Sequence, residues 1–186
     1  MATQRTPARV RWAVERLQLA PHHDVLEIGC GNGAGLALVC DRLDGGSALG
    51  VDRSAVAIDR AKGRLATRLE SGQVDLLLAD LKTVDLPAAG FDAALAVNVN
   101  LFWTREPTAE LGRLHAALRP GGALHLVWEP RDEAGVTRIA TTVGAALDAA
   151  GFAVTIATAT TRTGYAVVDV TGTVPETAGR PRTHSA

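Results

Sequence analysis

A glycine-rich turn between a predicted strand and a predicted helix is the first feature of this sequence that suggests chemistry. Residues 27–33 read Glu-Ile-Gly-Cys-Gly-Asn-Gly and end a short apolar run. Glycines permit a tight turn, and they let backbone N–H groups approach a ligand at the N-terminus of the following helix. The turn also fits the G-x-G-x-x-G/A fingerprint of dinucleotide-binding proteins, so it indicates nucleotide binding without identifying the nucleotide.

Two aspartates follow the next two predicted strands. Asp52 lies about 20 residues after the turn, where an acidic side chain can accept hydrogen bonds from both hydroxyls of a ribose. Asp80 ends the third strand at the same carboxyl edge of the sheet, where ligands of open α/β sheets bind. Each also has a simpler interpretation, because Asp52 beside Ser54 is typical of a helix cap and Asp80 of an ordinary loop.

Strands and helices must alternate to position these residues. Apolar periodicity predicts strands at residues 24–28, 47–51, 74–79, 91–99 and 123–128, and helices at residues 7–19, 34–43, 55–69, 107–118 and 136–150. Since parallel strands need crossover connections, the pattern predicts an α/β domain with helices on both faces of a mostly parallel sheet. The last runs, 152–160 and 165–171, are too close for a crossover and predict a hairpin with one antiparallel strand.

Composition limits the classes of protein that need considering. The 186 residues favour one domain, which we assign to residues 6–172, with a disordered tail at residues 173–186 that is poor in apolar groups. A net charge of −1 disfavours nucleic-acid partners, and two cysteines are too few for a disulfide framework. Without a signal core, a membrane-spanning run or metal-ligand spacing, the sequence predicts a soluble, cytoplasmic protein with no metal and no membrane partner.

Taken together, the motifs resemble those of the class I S-adenosylmethionine-dependent methyltransferases. Residues 27–33 match the family's E/D-x-G-x-G-x-G motif, Asp52 its ribose-binding acidic residue, and residues 78–81 (Leu-Ala-Asp-Leu) its adenine-contacting segment. Residues 91–98 resemble the fourth-strand motif, and residues 118–124 (Leu-Arg-Pro-Gly-Gly-Ala-Leu) the turn into strand 5. The resemblance implies a Rossmann-like, doubly wound sheet of seven strands in the order 3-2-1-4-5-7-6, with strand 7 antiparallel.

The resemblance also implies a cofactor site, with S-adenosylmethionine as methyl donor and S-adenosylhomocysteine as product. The glycines would receive the methionine moiety, Glu27 its ammonium group, Asp80 the adenine amine, and Asn98 would line the channel towards the acceptor. The implied cofactor-binding residues are Glu27, Gly29, Cys30, Gly31, Gly33, Asp52, Arg53, Asp80, Leu81 and Asn98. The first helix would lie near the opening of the site as part of a lid.

The methyl acceptor is less defined. Residues that follow strands 4 and 5 at the carboxyl edge form the candidate pocket, namely Asn100, Phe102, Trp103, Trp128 and Glu129. Ordinary packing is the alternative for the aromatic side chains, and Glu129 is the best-placed general base. Residues 98–101 read Asn-Val-Asn-Leu and depart from the Asn-Pro-Pro-Tyr type of run, which puts methylation of nucleic-acid bases in doubt. We therefore expect a small-molecule acceptor and a monomer or homodimer.

Two other functions compete with this interpretation. An NAD(P)-dependent oxidoreductase shares the glycine-rich turn, but the Glu27 carboxylate beside that turn would repel a pyrophosphate while attracting an ammonium group. We also expect a chain of this length to lack a separate catalytic domain. A noncatalytic protein that only binds S-adenosylmethionine would carry the same cofactor motif, and turnover on an acceptor would exclude it.

Overall fold

Helices and strands alternate along most of the chain in the computed structural model, which describes residues 6–161 and 164–176. The helices are α1 (Ala8–Arg16), α2 (Ala34–Cys40), α3 (Ala55–Glu70), α4 (Leu101–Thr104), α5 (Thr108–Ala117) and α6 (Glu133–Ala149). The strands are β1 (Val25–Ile28), β2 (Ala48–Asp52), β3 (Val74–Leu78), β4 (Phe91–Val97), β5 (Leu118–Trp128), β6 (Ala153–Thr160) and β7 (Ala166–Thr173). Within the described ranges, no helix combines the length and apolar character needed to cross a membrane.

All seven strands form one sheet in the order β3-β2-β1-β4-β5-β7-β6. The strands from β3 to β5 pair in parallel, whereas β7 runs antiparallel to both β5 and β6. The predicted fold class, strand order and antiparallel strand are therefore confirmed. Because β1 lies between β2 and β4, the strand order reverses there, and the crevice that such a reversal opens is where ligands bind in sheets of this type.

Successive residues of the central strands face two separate apolar layers. Leu26 and Ile28 belong to the layer formed with α4, α5 and α6, whereas Val25 belongs to the layer formed with α1, α2 and α3. The same alternation divides Ala94 from Leu95 on β4. This period of two, with both sets buried, is the pattern of a strand covered on both faces, so the predicted helices on both faces are confirmed.

The connection from β3 to β4 departs from the predicted alternation, because no helix forms between Ala79 and Gly90. An Asp80 Oδ1 atom accepts a hydrogen bond from the Lys82 backbone N–H at 2.9 Å, which closes a turn directly after β3. Leu81 and Val84 are buried, so this irregular segment still covers part of the sheet. Instead, the extra helix is α4, which follows β4 and was not predicted.

Two strand boundaries also differ from those predicted. Strand β5 begins at Leu118 rather than at residue 123, because a register shift opposite Phe91 and Ala93 accommodates the Arg-Pro-Gly-Gly segment within the strand. Strand β7 continues to Thr173, and the Val174 side chain is buried. The predicted boundary between domain and tail at residue 172 therefore falls inside a strand, and residues 177–186 of the predicted tail lie outside the described residues.

Helix α1 is fixed at its C-terminal end by a buried polar cluster. The Arg16 Nε–H group donates to an Asp169 Oδ2 atom at 3.1 Å, and the Asp169 side chain is fully buried on β7. The His125 Nδ1 atom lies 2.9 Å from the same oxygen and 3.2 Å from the Thr171 Oγ1 atom. The helix ends at Arg16, earlier than predicted, since Gln18 adopts a left-handed conformation with φ of 48°.

Candidate active site

Two adjoining cavities open at the carboxyl edge of β1, β2 and β4. The first, which we call the strand-end cavity, has a volume of about 530 Å³ and is lined by Ile28, Gly29, Val51, Asp52, Arg53, Ala79, Asp80, Leu81, Asn98, Val99, Asn100, Leu101, Thr104 and Arg105. The second, the turn cavity, has a volume of about 250 Å³ and is lined by Thr6, Pro7, Arg9, Val10, Glu27, Gly29, Cys30, Gly31, Asn32, Ala34, Gly35, Arg64, Val97 and Asn98. Gly29 and Asn98 line both cavities, so the two spaces meet at these residues.

The carboxylate of Asp52 connects the glycine-rich turn to the start of α3. Its Oδ2 atom accepts from the Gly31 backbone N–H and its Oδ1 atom from the Ser54 backbone N–H, each at 2.9 Å. Ser54 itself caps α3, because its Oγ atom accepts from the Ala57 N–H at 3.3 Å. The helix-entry role considered for Asp52 is thus present, yet each carboxylate oxygen keeps a further lone pair, and the residue lines the strand-end cavity.

The glycine-rich turn presents its backbone to the turn cavity. Gly31 has φ of 56°, and a Cβ atom there would find no atom nearer than the Gly29 carbonyl oxygen at 4.0 Å. Gly33 caps α2 in a left-handed conformation with φ of 75°, and a Cβ atom there would lie 2.9 Å from the Leu65 Cδ1 atom. The turn therefore needs these glycines for two reasons, a backbone shape and a close approach to α3, and it leaves an open cradle beside Gly31.

Glu27 brings an acidic group into this cradle. The residue is 4% exposed, its Oε2 atom lacks a hydrogen-bond partner among the described residues, and the Leu36 backbone supplies a hydrogen bond to the carboxyl group. Burial raises the pKa of Glu27 to about 8, and the nearby Asp52 charge adds to this effect. Burial, followed by the Glu27 and Asp52 charges, raises the pKa of the neighbouring Cys30 thiol to about 12, so Cys30 is not poised as a nucleophile.

Asn98 occupies the meeting point of the two cavities in a strained conformation. Its φ of 57° lies in the left-handed region, which asparagine tolerates better than most residues. Its backbone N–H donates to the Val127 carbonyl at 2.8 Å, and its Oδ1 atom accepts from the Glu129 N–H at 3.2 Å. These bonds join the ends of β4 and β5, and strain of this kind concentrates at functional sites.

The structure separates the residues predicted for the acceptor pocket. Asn100 lines the strand-end cavity, but Phe102 and Trp128 are 0% and 2% exposed and belong to the apolar core. Trp103 lines neither of the two cavities and instead contacts the Arg138 guanidinium, 5.7 Å from its ring centroid. For these three aromatic side chains the positions favour the alternative of ordinary packing, against the core and α6, and the pocket role stays a prediction.

Glu129 lies beside the site without lining either cavity. Its side chain is 19% exposed, and an Oε1 atom lies 3.8 Å from the Arg9 Nη1 atom of α1. Arg9 does line the turn cavity, and the Asn98 side chain accepts from the Glu129 backbone. Glu129 is therefore placed near the point where the cavities meet, beside the N-terminal end of α1, which Thr6 and Pro7 precede.

Several lining residues were missed by the sequence interpretation. Arg9 comes from α1 and Arg64 from α3, and the Arg64 Nε–H donates to the Asn32 carbonyl at 2.9 Å. Thr104 and Arg105 line the strand-end cavity from the end of α4, where Arg105 also pairs with the buried Glu110 at 2.8 Å. In the described part of the chain, no group of three His, Cys, Asp or Glu side chains is arranged to hold a metal ion.

Known proteins resemble this chain in sequence and in fold. A family model described as a methyltransferase domain matches residues 25–122. An uncharacterized methyltransferase of Mycobacterium tuberculosis strain H37Rv is 35% identical over 103 residues, which cover 55% of this chain and 49% of that protein. The chain thus spans about half the length of this curated relative.

Solved structures share the fold over nearly the whole chain. The [4+2]-cyclase SpnF superposes with a TM-score of 0.76 at 21% identity, covering 90% of this chain and 81% of that one. A SAM-dependent methyltransferase from Aquifex aeolicus gives a TM-score of 0.71 at 17% identity and covers 89% of each chain. Likeness at such identities shows the fold alone, whereas the family model spans more than half of the chain. With the sheet order and the glycine-rich turn, that match shows that the chain belongs to the class I S-adenosylmethionine-dependent methyltransferases.

Proposed function

We propose that this protein transfers a methyl group from S-adenosylmethionine to a small-molecule acceptor. The observation that carries the proposal is the buried Glu27 carboxyl beside the turn cavity, with one oxygen that lacks a hydrogen-bond partner among the described residues, next to a larger cavity lined by Asp52 and Asp80. An adenosyl amino acid offers an ammonium group to the first carboxyl, and a ribose and an adenine amine to the other two. The two cavities meet at Gly29 and Asn98, so one extended ligand can occupy both.

The described residues fit this cofactor on structural grounds. The open space beside Gly31 leaves room for the amino-acid moiety near backbone N–H groups. The exposed Asp80 and the buried Leu81 at the end of β3 suit a polar edge and an apolar face of an adenine ring. The bound sulfonium would supply an already activated methyl group, so the protein has mainly to align the acceptor and exclude water.

The principal rival, an NAD(P)-dependent oxidoreductase, is disfavoured by the same buried carboxyl. A pyrophosphate seated at the glycine-rich turn would meet the Glu27 side chain, whose surroundings already disfavour negative charge. Titration calorimetry with S-adenosylhomocysteine, NAD and NADP decides between the two. We expect micromolar binding of S-adenosylhomocysteine and negligible binding of either dinucleotide; tight NAD binding without a response to S-adenosylhomocysteine would overturn the proposal.

The proposed acceptor is a small molecule that reaches the point where the cavities meet. Glu129 and Arg9 flank that point, and a dedicated recognition domain is absent from residues 6–161 and 164–176. Incubating the protein with methyl-labelled S-adenosylmethionine and fractionated metabolite pools would identify the acceptor. Transfer of label establishes turnover, whereas binding of S-adenosylhomocysteine without transfer to any pool favours the noncatalytic alternative.

Glu129 is the proposed general base if the acceptor needs one. On an acceptor identified in this way, Glu129→Gln should lower kcat while leaving the affinity for S-adenosylhomocysteine within about twofold, because the side chain lines neither cavity. An unchanged kcat would restrict Glu129 to its contacts with Arg9 and Asn98.

A cytoplasmic location and a monomeric or homodimeric state stay predictions from the sequence.

A further inference from the structure

We propose that Glu27 is a proton-exchange site, which gives up its own proton when it binds the ammonium group of the cofactor. Cofactor binding near neutral pH would then release about one proton to solvent and would strengthen as the pH rises. This inference rests on the proposed function, because it concerns the same site, but it predicts a property that neither the family nor the fold determines.

The first support is the poor solvation of the Glu27 carboxyl in the ligand-free site. The side chain is buried, and its Oε2 atom has no partner among the described residues. Among these same residues, the Leu36 backbone supplies the only hydrogen bond that favours the charged form of the carboxyl group. A Cβ atom at Gly35 would collide with the carboxyl group, so α2 packs directly against it and leaves no room for water on that side. An ionised carboxylate needs more donors than this, and the neutral acid is therefore the stable form of the empty site.

The charged groups around Glu27 reinforce that preference. From β2, Asp52 adds a negative charge, and from the turn, the Cys30 thiol stays protonated. Arg9 on α1 lines the same cavity but pairs with Glu129, and Arg64 on α3 donates to the Asn32 carbonyl. The two other elements beside Glu27, α2 and β4, add no charge. Helix α2 offers backbone groups and apolar side chains, and Leu95 is the residue of β4 that pairs with Glu27 in the sheet. Burial and Asp52 together raise the pKa of Glu27 to about 8.

An ammonium group reverses this balance because it supplies the missing positive partner. A ligand that requires the ionised carboxylate binds only the ionised fraction, so its apparent affinity should rise about tenfold per pH unit below pH 8 and level off above it. S-Adenosylmethionine and S-adenosylhomocysteine share the ammonium group and should behave alike. 5′-Methylthioadenosine lacks the amino-acid moiety, and its binding should be independent of Glu27.

Titration calorimetry of the full chain at about pH 7 tests this directly. S-Adenosylhomocysteine and 5′-methylthioadenosine would each be titrated in phosphate and in Tris, whose ionisation enthalpies differ, so that the number of protons released can be calculated. We expect close to one proton for S-adenosylhomocysteine, none for 5′-methylthioadenosine, and none for either ligand with the isosteric Glu27→Gln variant. Release that persists in Glu27→Gln, or its absence in the unmodified protein, would overturn the inference.

A second measurement needs no variant and protects the test against a misfolded Glu27→Gln protein. The affinities of the two ligands for the unmodified protein would be compared at about pH 6, 7 and 8. We expect S-adenosylhomocysteine to gain about tenfold from pH 6 to 7 and about fivefold from pH 7 to 8, while 5′-methylthioadenosine stays within about twofold. Parallel behaviour of the two ligands contradicts the proton exchange alone, whereas failure of S-adenosylhomocysteine to bind at any pH contradicts the proposed function itself.

Discussion

Asp24 and Glu27 are close neighbours in the sequence, yet the fold places them at opposite edges of the sheet and in opposite surroundings. Asp24, just before β1, accepts from the Ser47 Oγ–H at 2.7 Å and from the Arg119 Nη2–H at 2.9 Å. Glu27, near the carboxyl end of β1, is fully buried with one unpartnered oxygen. The first carboxylate is satisfied by side chains of the protein, whereas the second keeps one oxygen without a hydrogen-bond partner among the described residues.

The pKa values of the two groups follow from this difference. Burial alone would raise the pKa of Asp24, but the hydrogen bonds from Ser47 and Arg119 outweigh it and hold the pKa below its ordinary value. At Glu27 burial is not compensated, and the pKa rises to about 8. The amino edge of the sheet thus carries a carboxylate whose charged form is stabilised, and the carboxyl edge carries a carboxyl group whose charged form is not.

Exchanging each carboxyl for its amide should reveal opposite pH dependences. Because the folded-state pKa of Glu27 is raised from 4.5 to about 8, its contribution to stability is complete below pH 4.5 and is lost as the pH rises through 8. Above pH 8, Glu27→Gln should therefore be more stable than the unmodified protein, by up to the order of 4 kcal/mol. Urea unfolding at several pH values measures this difference.

The Asp24→Asn variant is the matched comparison. Its lowered folded-state pKa means that the Asp24 contribution is present above pH 3.8 and is lost as the pH falls through the folded value. We expect Asp24→Asn to be less stable than the unmodified protein at neutral pH, with the difference vanishing in acid. If Glu27→Gln and Asp24→Asn shifted stability in the same direction at pH 9, the contrast between the two edges of the sheet would be contradicted.

Within the carboxyl edge, Asp52 should matter for the ligand more than for the fold. Asp52→Ala should weaken S-adenosylhomocysteine binding roughly 10–150-fold, or about 1.5–3 kcal/mol, because charge-assisted hydrogen bonds to the ribose are lost. Ser54→Ala is the control, since it removes only the cap of α3 and should cost about 1 kcal/mol of stability with little change in affinity. Equal losses of affinity in the two variants would return Asp52 to the role of a capping residue.

The close packing of α2 against Glu27 can be tested with a single added methyl group. Gly35→Ala should lower S-adenosylhomocysteine affinity about 5–150-fold, because the new Cβ atom would displace the Glu27 carboxyl. Gly63→Ala is the control in α3, where an added Cβ atom meets nothing within 4 Å and should stabilise the helix by about 0.5–1 kcal/mol. Calorimetry and thermal unfolding of both variants measure these effects, and unchanged affinity in Gly35→Ala would show that Glu27 is free to move.

The smallest expected effect concerns the strained Asn98. Asn98→Gly keeps the left-handed backbone without steric cost but loses the bond from the Glu129 N–H, whereas Asn98→Ala loses the bond and adds strain. Thermal unfolding should therefore show Asn98→Ala to be less stable than Asn98→Gly by about 1 kcal/mol. Equal stabilities would mean that the backbone relaxes and that the conformation at this position is not required.

Local sequence signals predicted most of the fold for a physical reason. Buried strands and amphipathic helices leave apolar periods that depend only on neighbouring residues, as β1 and α3 illustrate. The β3–β4 connection and the extension of β5 over the Arg-Pro-Gly-Gly segment depend on pairing with other strands, and local pattern carries little of that information. Strand β7 runs past the predicted end for the same reason, since Thr173 pairs with both Ala123 and Ala153.

The residues of the candidate site also divide into those that local sequence predicts and those that depend on packing. Glu27, Asp52 and Asp80 could be predicted because a glycine-rich turn and strand ends place them at one edge. Arg9 and Arg64 could not, because each lies on a helix whose side facing the cavity is set only after packing. For Phe102 and Trp128 the sequence left cavity wall and core as alternatives, since position after a strand does not distinguish them, and both side chains are buried.

The contact between Arg16 and Asp169 has a consequence for the order in which the molecule is assembled. The two residues are 153 positions apart, so this contact can form only after β7 has been synthesised. Closing so large a loop is entropically costly, and contacts of such separation slow folding. During synthesis α1 can therefore pack its apolar face, which includes Ala13 and Val14, against α2, β4 and β5 before this bond forms. A chain stalled before β7 would hold α1 by apolar packing alone, with the Arg16 guanidinium not yet paired with Asp169.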